Sequence, residues 1–211
     1  VRLPAPPILV ITDRAQCPEP LEARALALFR GGCRWLSLRE KDLESEARLA
    51  LLERLVAIGR DFGATVGVHG DLEAARSSAA AFHLPAGGDP QSARSALGPS
   101  VLIGQSCHGA ADLAAAADRG ADYATLGPIA PTRSKPGYRS STAPRNLAAL
   151  AASAGYPVLA LGGVTTENAA RLVGWGFAGV AVLGEAMRAP DPQAWFAGLA
   201  AAIQKTRQDE V

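Results

Sequence analysis

Eight short apolar runs, each followed by a stretch with helical spacing, recur along the 211 residues of this chain, and that alternation constrains the fold more than any other feature. The runs are Ile8–Thr12, Trp35–Leu38, Thr65–Val68, Ala81–Leu84, Val101–Gly104, Tyr123–Leu126, Val158–Leu161 and Gly179–Leu183. Several are continuously apolar, the pattern of parallel strands covered on both faces. Between them, Leu21–Arg30 and Leu43–Arg60 are the clearest helical segments, with Ala50, Leu51, Leu55 and Ile58 on one stripe of the second. Asp112–Arg119, Asn146–Ser153, Glu167–Val173 and Gln193–Ile203 share that spacing; Asp71–Ser78 and Gln91–Leu97 follow it less regularly. Gly31-Gly32, Gly120, Gly155 and Gly176 sit just past helical runs, where a left-handed cap favours glycine. Eight strand–helix units without a linker predict a single-domain (β/α)8 TIM barrel over residues 1–211, in the α/β class. An open doubly wound sheet would instead place a glycine-rich turn after the first strand, and TDRAQCPEP contains no glycine.

Composition narrows the function classes. A net charge of +1 supplies no basic field for nucleic acid, and the apolar runs fall short of the ~20 residues that span a bilayer. VRLPAPPILV has no long apolar core or small-residue cleavage site, so no secretory segment is expected. Cys17, Cys33 and Cys107 show no CxxC spacing, which argues against a disulfide frame or zinc site and for a cytoplasmic setting. A homodimer suits a barrel of this size, although no heptad or apolar stripe marks a face for it.

In a barrel the segments after the strands share one rim, where chemistry gathers. Here they carry Thr12-Asp13, Ser37-Leu38-Arg39-Glu40-Lys41, His69-Gly70-Asp71, His83, Ser106-Cys107-His108, the loop GPIAPTRSKPGYR, Gly162-Gly163 and Gly184-Glu185; all three histidines of the chain are among them. Gly162 and Gly163, before a threonine that opens a helix, and Gly184 after the eighth strand offer bare amides suited to a phosphate. Alternation puts Ser37, Arg39 and Lys41 on one face, where inward cations need an anion. Thr132, Ser134 and Lys135, between Pro131 and Pro136, form a clamp for a second anionic group or a lid. Tight turns, a solvated strand end and a surface loop are the plainer alternatives for these three features.

Together these segments resemble the thiamin phosphate synthase/TenI family. The resemblance rests on ITD at 11–13, LREK at 38–41, HLP at 83–85, IGQSCH at 103–108, ADYATLGPIAPTRSKPG at 121–137, LGGVT at 161–165 and GVAVLGEA at 179–186. It implies a (β/α)8 fold, a place in thiamin biosynthesis and a thiazole phosphate as ligand. For the synthase branch, which joins an aminopyrimidine diphosphate to a thiazole phosphate and expels pyrophosphate, it implies that Arg39 and Lys41 hold the diphosphate. Lys135, with Thr132 and Ser134, would hold the anion on the other side. Ser106 would lie near the pyrimidine, Gly162, Gly163 and Gly184 would cradle the thiazole phosphate, and carboxylate-bound Mg2+ would neutralise the leaving group. The TenI branch moves a proton on a thiazole carboxylate phosphate, without metal.

The chain departs from both patterns. Synthases carry Asn-Asp after strand three and Gln-Glu-Asp after strand four; here those places hold His69-Gly70 and Pro85-Ala86-Gly87-Gly88. Asp71 and Asp89, each displaced in register, are the remaining metal candidates. TenI tautomerases carry a histidine directly after the glycine that follows strand six, where this chain has Pro128. Ser37 stands where both branches have a longer polar residue. The expectation is a TenI-like enzyme that borrows its base from His108, His69 or His83, with Ser106 and His108 pointing the same way. His83 also reads as a satisfied core histidine, and His69 as a hydrogen-bonding replacement for asparagine. A Mg2+-dependent synthase and a non-catalytic thiazole-phosphate-binding protein are the other two readings.

Overall fold

The computed structural model describes residues 2–130 and 143–209. Eight parallel strands close on themselves in sequence order. They are β1 (Ile8–Ile11), β2 (Trp35–Leu38), β3 (Thr65–His69), β4 (Ala81–Leu84), β5 (Leu102–Cys107), β6 (Tyr123–Leu126), β7 (Val158–Leu161) and β8 (Gly179–Val182). The helices are α1 (Leu21–Arg30), α2 (Ser45–Arg60), α3 (Leu72–Ser78), α4 (Pro90–Leu97), α5 (Ala110–Asp118), α6 (Pro144–Ser153), α7 (Thr166–Gly174), α8 (Gly184–Arg188) and α9 (Pro192–Asp209). This is the expected (β/α)8 barrel. The short α8 and a 3-10 turn at Arg14–Gln16 are additions that the apolar periodicity does not announce. No helix among the described residues is long and apolar enough to cross a membrane.

Two cores explain the unbroken apolar strands. Outward strand residues such as Val10, Leu36, Leu38, Val68 and Val180 join Leu28, Phe29, Leu52, Leu55 and Phe196 of the helices in the outer core. Leu9, Ile11, Trp35, Tyr123, Leu159 and Ala181 fill the barrel itself. Gly104 sits opposite Tyr123 in the β5–β6 register. A Cβ on Gly104 would lie 2.1 Å from Tyr123 Cζ, so the bare backbone makes room for a ring that then packs edge-on against Trp35, centroids 4.7 Å apart.

Above this floor the lining divides. Strands β7, β8 and β1 contribute Leu161, Ala181 and Ile11, whereas β2 to β6 contribute Ser37, His69, His83, Ser106 and Thr125. The mouth therefore has one apolar and one hydrogen-bonding side.

Candidate active site

β5 runs three residues further than its apolar run, which carries Ser106 into the sheet opposite Thr125. His83 is 2% exposed and spans three strands: Nδ1 lies 3.0 Å from the Tyr123 hydroxyl and Nε2 3.0 Å from Ser106 Oγ, with Thr125 Oγ1 at 3.5 Å. Hydroxyls both donate and accept, so a neutral imidazole satisfies both neighbours in either tautomer. Burial holds His83 well below the usual histidine range, with His69 and Arg39 adding to it. The His69 ring lies tilted against His83, centroids 5.0 Å apart, and is pushed down to about 4, by burial first and then by Arg39 and Lys41. Both rings are neutral at physiological pH.

His108 follows β5 at the rim and is exposed. Its Nδ1 lies 2.7 Å from the Gly127 carbonyl, and its backbone N–H donates to Asp112 Oδ2 at 2.7 Å. A carbonyl only accepts, so Nδ1 carries the proton and Nε2 of the neutral ring is the basic nitrogen. Ser106 bonds toward His83 on β4, and His108 Nδ1 bonds toward the end of β6.

The β2 segment is anchored by a buried carboxylate that apolar periodicity does not reveal. Glu40, 3% exposed, accepts from Thr12 Oγ1 at 2.6 Å and from the Arg14 N–H at 3.0 Å, and Thr12 Oγ1 in turn accepts from the Arg39 N–H at 2.9 Å. Burial raises its carboxyl above the usual range, opposed by these bonds. Arg39 is half-buried beside Ser37, and Lys41 is exposed in the following turn.

On the other wall, Gly162 and Gly163 take φ of 91° and 66°. A Cβ on Gly163 would meet Ala130 Cβ at 2.6 Å, so the turn is closed to other residues on two grounds. Thr165 caps α7 in a capping box with Asn168, whose amide also donates to the Gly163 carbonyl at 2.8 Å. Gly184 opens α8, with the Arg188 guanidinium 2.4 Å from where its Cβ would stand. Thr132, Ser134 and Lys135 lie outside the described residues.

The carboxylates expected to serve a metal are engaged elsewhere. Asp71 caps α3 by accepting from the Ala74 N–H at 3.0 Å and pairs with Arg48. Asp89 caps α4, accepting from the Gln91 N–H at 3.1 Å and Ser92 Oγ at 2.5 Å. No group of three His, Cys, Asp or Glu among the described residues is arranged to hold a metal, and the sequence of 131–142 contains no carboxylate. The described residues thus form no ready-made protein cage for Mg2+, an ion commonly held by one or two carboxylates together with substrate phosphates and waters.

The family model described as thiamine monophosphate synthase matches residues 8–186. A putative thiamine-phosphate synthase of Geobacter sulfurreducens is 36% identical over 206 residues, covering 96% of this chain and 97% of that protein. A thiamine-phosphate synthase of Chlorobium luteolum is 34% identical over 210 residues, 98% of each. The solved thiamine phosphate pyrophosphorylase of Pyrococcus furiosus superposes with a TM-score of 0.85 at 23% identity, covering 94% of this chain and 96% of that one, a likeness of fold. An eight-stranded barrel with glycine turns after β7, and relatives that match it from end to end, place this chain in the thiamin phosphate synthase/TenI family, an enzyme family of thiamin biosynthesis.

Proposed function

We propose that the barrel mouth binds a thiazole phosphate and that the chain acts as a TenI-like tautomerase, moving a proton on the ring of a thiazole carboxylate phosphate without a metal. One observation carries this reading: the His108 imidazole, 2.7 Å from the Gly127 carbonyl, reaches the position beside which tautomerases of the family carry their histidine. Pro128 cannot supply that base from β6, and the imidazole that lies against the Gly127 carbonyl comes instead from His108 at the end of β5. With Nδ1–H held by the carbonyl, Nε2 takes the ring proton and returns it to the neighbouring ring atom, so charge and protons balance over the cycle. The amides of Gly162, Gly163 and Gly184 hold the phosphate, and the apolar wall of Ile11, Leu161 and Ala181 packs against the ring.

A Mg2+-dependent synthase is the second reading, favoured by the names of relatives that match nearly the whole chain. One pair of assays separates the two. The tautomerase exchanges the thiazole ring proton with solvent in EDTA, and His108→Ala and His108→Asn lower that rate by about 100-fold or more while phosphate binding persists. Saturable, Mg2+-dependent release of pyrophosphate from the two synthase substrates, without such exchange, would overturn the proposal. Binding without turnover in either assay would point to the non-catalytic reading.

A further inference from the structure

Ser37 Oγ and His69 Nδ1 are buried and make no hydrogen bond among the described residues, although both lie on inward positions of adjacent strands. Ser37 is 3% exposed. Gly67 stands opposite it in the β2–β3 register, so β3 covers the hydroxyl with no side chain at that level. The next inward residue of β3 is His69, and Trp35 and Tyr123 form the floor below. Polar atoms shut away from water without partners are costly, and two of them on adjacent strands, with His69 one inward step above Ser37, mark a place where something else supplies the bonds.

The surroundings define that partner. Arg39 and Lys41 follow Ser37 on the same side of the chain, and neither makes an ion pair among the described residues. The carboxylates nearest in sequence are committed, Glu40 to Thr12 and Arg14 and Asp71 to Arg48. A serine hydroxyl donates one proton, and a neutral imidazole with its proton on Nδ1 donates another. Two donors beside an unpaired guanidinium suit a planar anion with two acceptor oxygens. β3 also lies across the barrel from the glycine turn after β7, with β5 and its His108 midway between.

We infer that Ser37 and His69 form a carboxylate subsite at the base of the mouth, with Arg39 supplying charge above it. This rests on the thiazole-phosphate reading and deepens it. A ring held by its phosphate at β7 and β8 and by its carboxylate at β2 and β3 presents one edge to His108.

The test is calorimetric titration at pH 7.5 in EDTA, with thiazole phosphate bearing the ring carboxylate and with the same compound lacking it. The wild type is expected to bind the carboxylated compound about tenfold more tightly or better, the range of charge-assisted hydrogen bonds. Ser37→Ala, which barely changes shape, and His69→Phe should each cut that preference by about threefold or more, and together bring it near one. Affinity for the carboxyl-free compound should stay within about threefold throughout. Equal binding of both compounds by the wild type, or a preference that survives both substitutions, would mean that these atoms hold water only, and sinks the inference alone. Absence of proton exchange with the preference intact removes the tautomerase reading alone, and failure to bind either compound removes both.

Discussion

His83 Nε2 stands 3.0 Å from Ser106 Oγ across the β4–β5 boundary, and through Nδ1 the same ring reaches Tyr123 on β6. One side chain thus ties three consecutive strands inside the barrel. His83→Leu leaves the buried Tyr123 hydroxyl and the partly buried Ser106 hydroxyl short of a partner and is expected to cost about 2–4 kcal/mol in urea unfolding. Ser106→Ala, which removes one end only, should cost about 1 kcal/mol. A double-mutant cycle in which the two costs simply add would refute this linkage.

Acid sensitivity follows from the same rings. Both states are neutral at His69 and His83 above the ordinary histidine pKa of 6.5, so neither ring affects stability there. As pH falls below 6.5 the unfolded chain takes up protons, whereas folded His69 resists them until about pH 4 and burial holds folded His83 well below its ordinary value. Stability is lost across that window at up to about 1.4 kcal/mol per pH unit for each ring. Urea midpoints at pH 7 and pH 5 should separate more for the wild type than for His69→Asn, and equal separation would rule His69 out as a source.

Two glycines should respond differently to alanine. Gly104→Ala drives a methyl into Tyr123, with 2.1 Å between Cβ and Cζ, and displaces the ring that His83 depends on. The expected result is a loss of about 2–3 kcal/mol or more. Gly163→Ala strains a φ of 66° and presses on Ala130 in a rim turn. Its stability cost should be about 1–2 kcal/mol, but its affinity for thiazole phosphate should fall by about tenfold or more as the amides move. Unchanged affinity in a folded Gly163→Ala protein would remove this turn from the phosphate site.

Asp71 separates a structural carboxylate from a metal ligand. Asp71→Ala removes both the α3 cap and the Arg48 pair, and should lower stability by about 2 kcal/mol. EDTA-insensitive proton exchange should stay within about threefold of wild type. A Mg2+-dependent activity that this substitution abolishes in a still-folded protein would assign Asp71 to a metal instead.

Glu40→Ala tests the anchor of the β2 segment. It leaves Thr12 Oγ1 and the Arg14 N–H without their acceptor, at about 2–3 kcal/mol, and frees the turn that carries Arg39 and Lys41. Affinity for an anionic ligand should fall with it, whereas Glu40→Gln, which can still accept, should lose less. Equal losses for the two variants would argue against a hydrogen-bonding role.

What this sequence determined by itself is the alternation of strand and helix, because apolar spacing and glycine stops are local signals written over ten or so residues. Eight such units, with no glycine-rich turn after the first strand, favour the closed barrel over an open sheet, and closure carries Arg39, His69, Ser106, His108 and Gly163 toward one rim. Only the tertiary structure decided what each of these touches. His108 meets Gly127 across 19 residues, Glu40 meets Thr12 across 28 and His83 meets Tyr123 across 40. Those encounters depend on register between neighbouring strands and on which hydrogen bonds can be completed away from water, which no local pattern encodes. For the same reason Asp71 and Asp89 look like free carboxylates in the sequence and prove to be helix caps, while Ser37, an unremarkable serine in a strand, is left buried with its hydroxyl unmet.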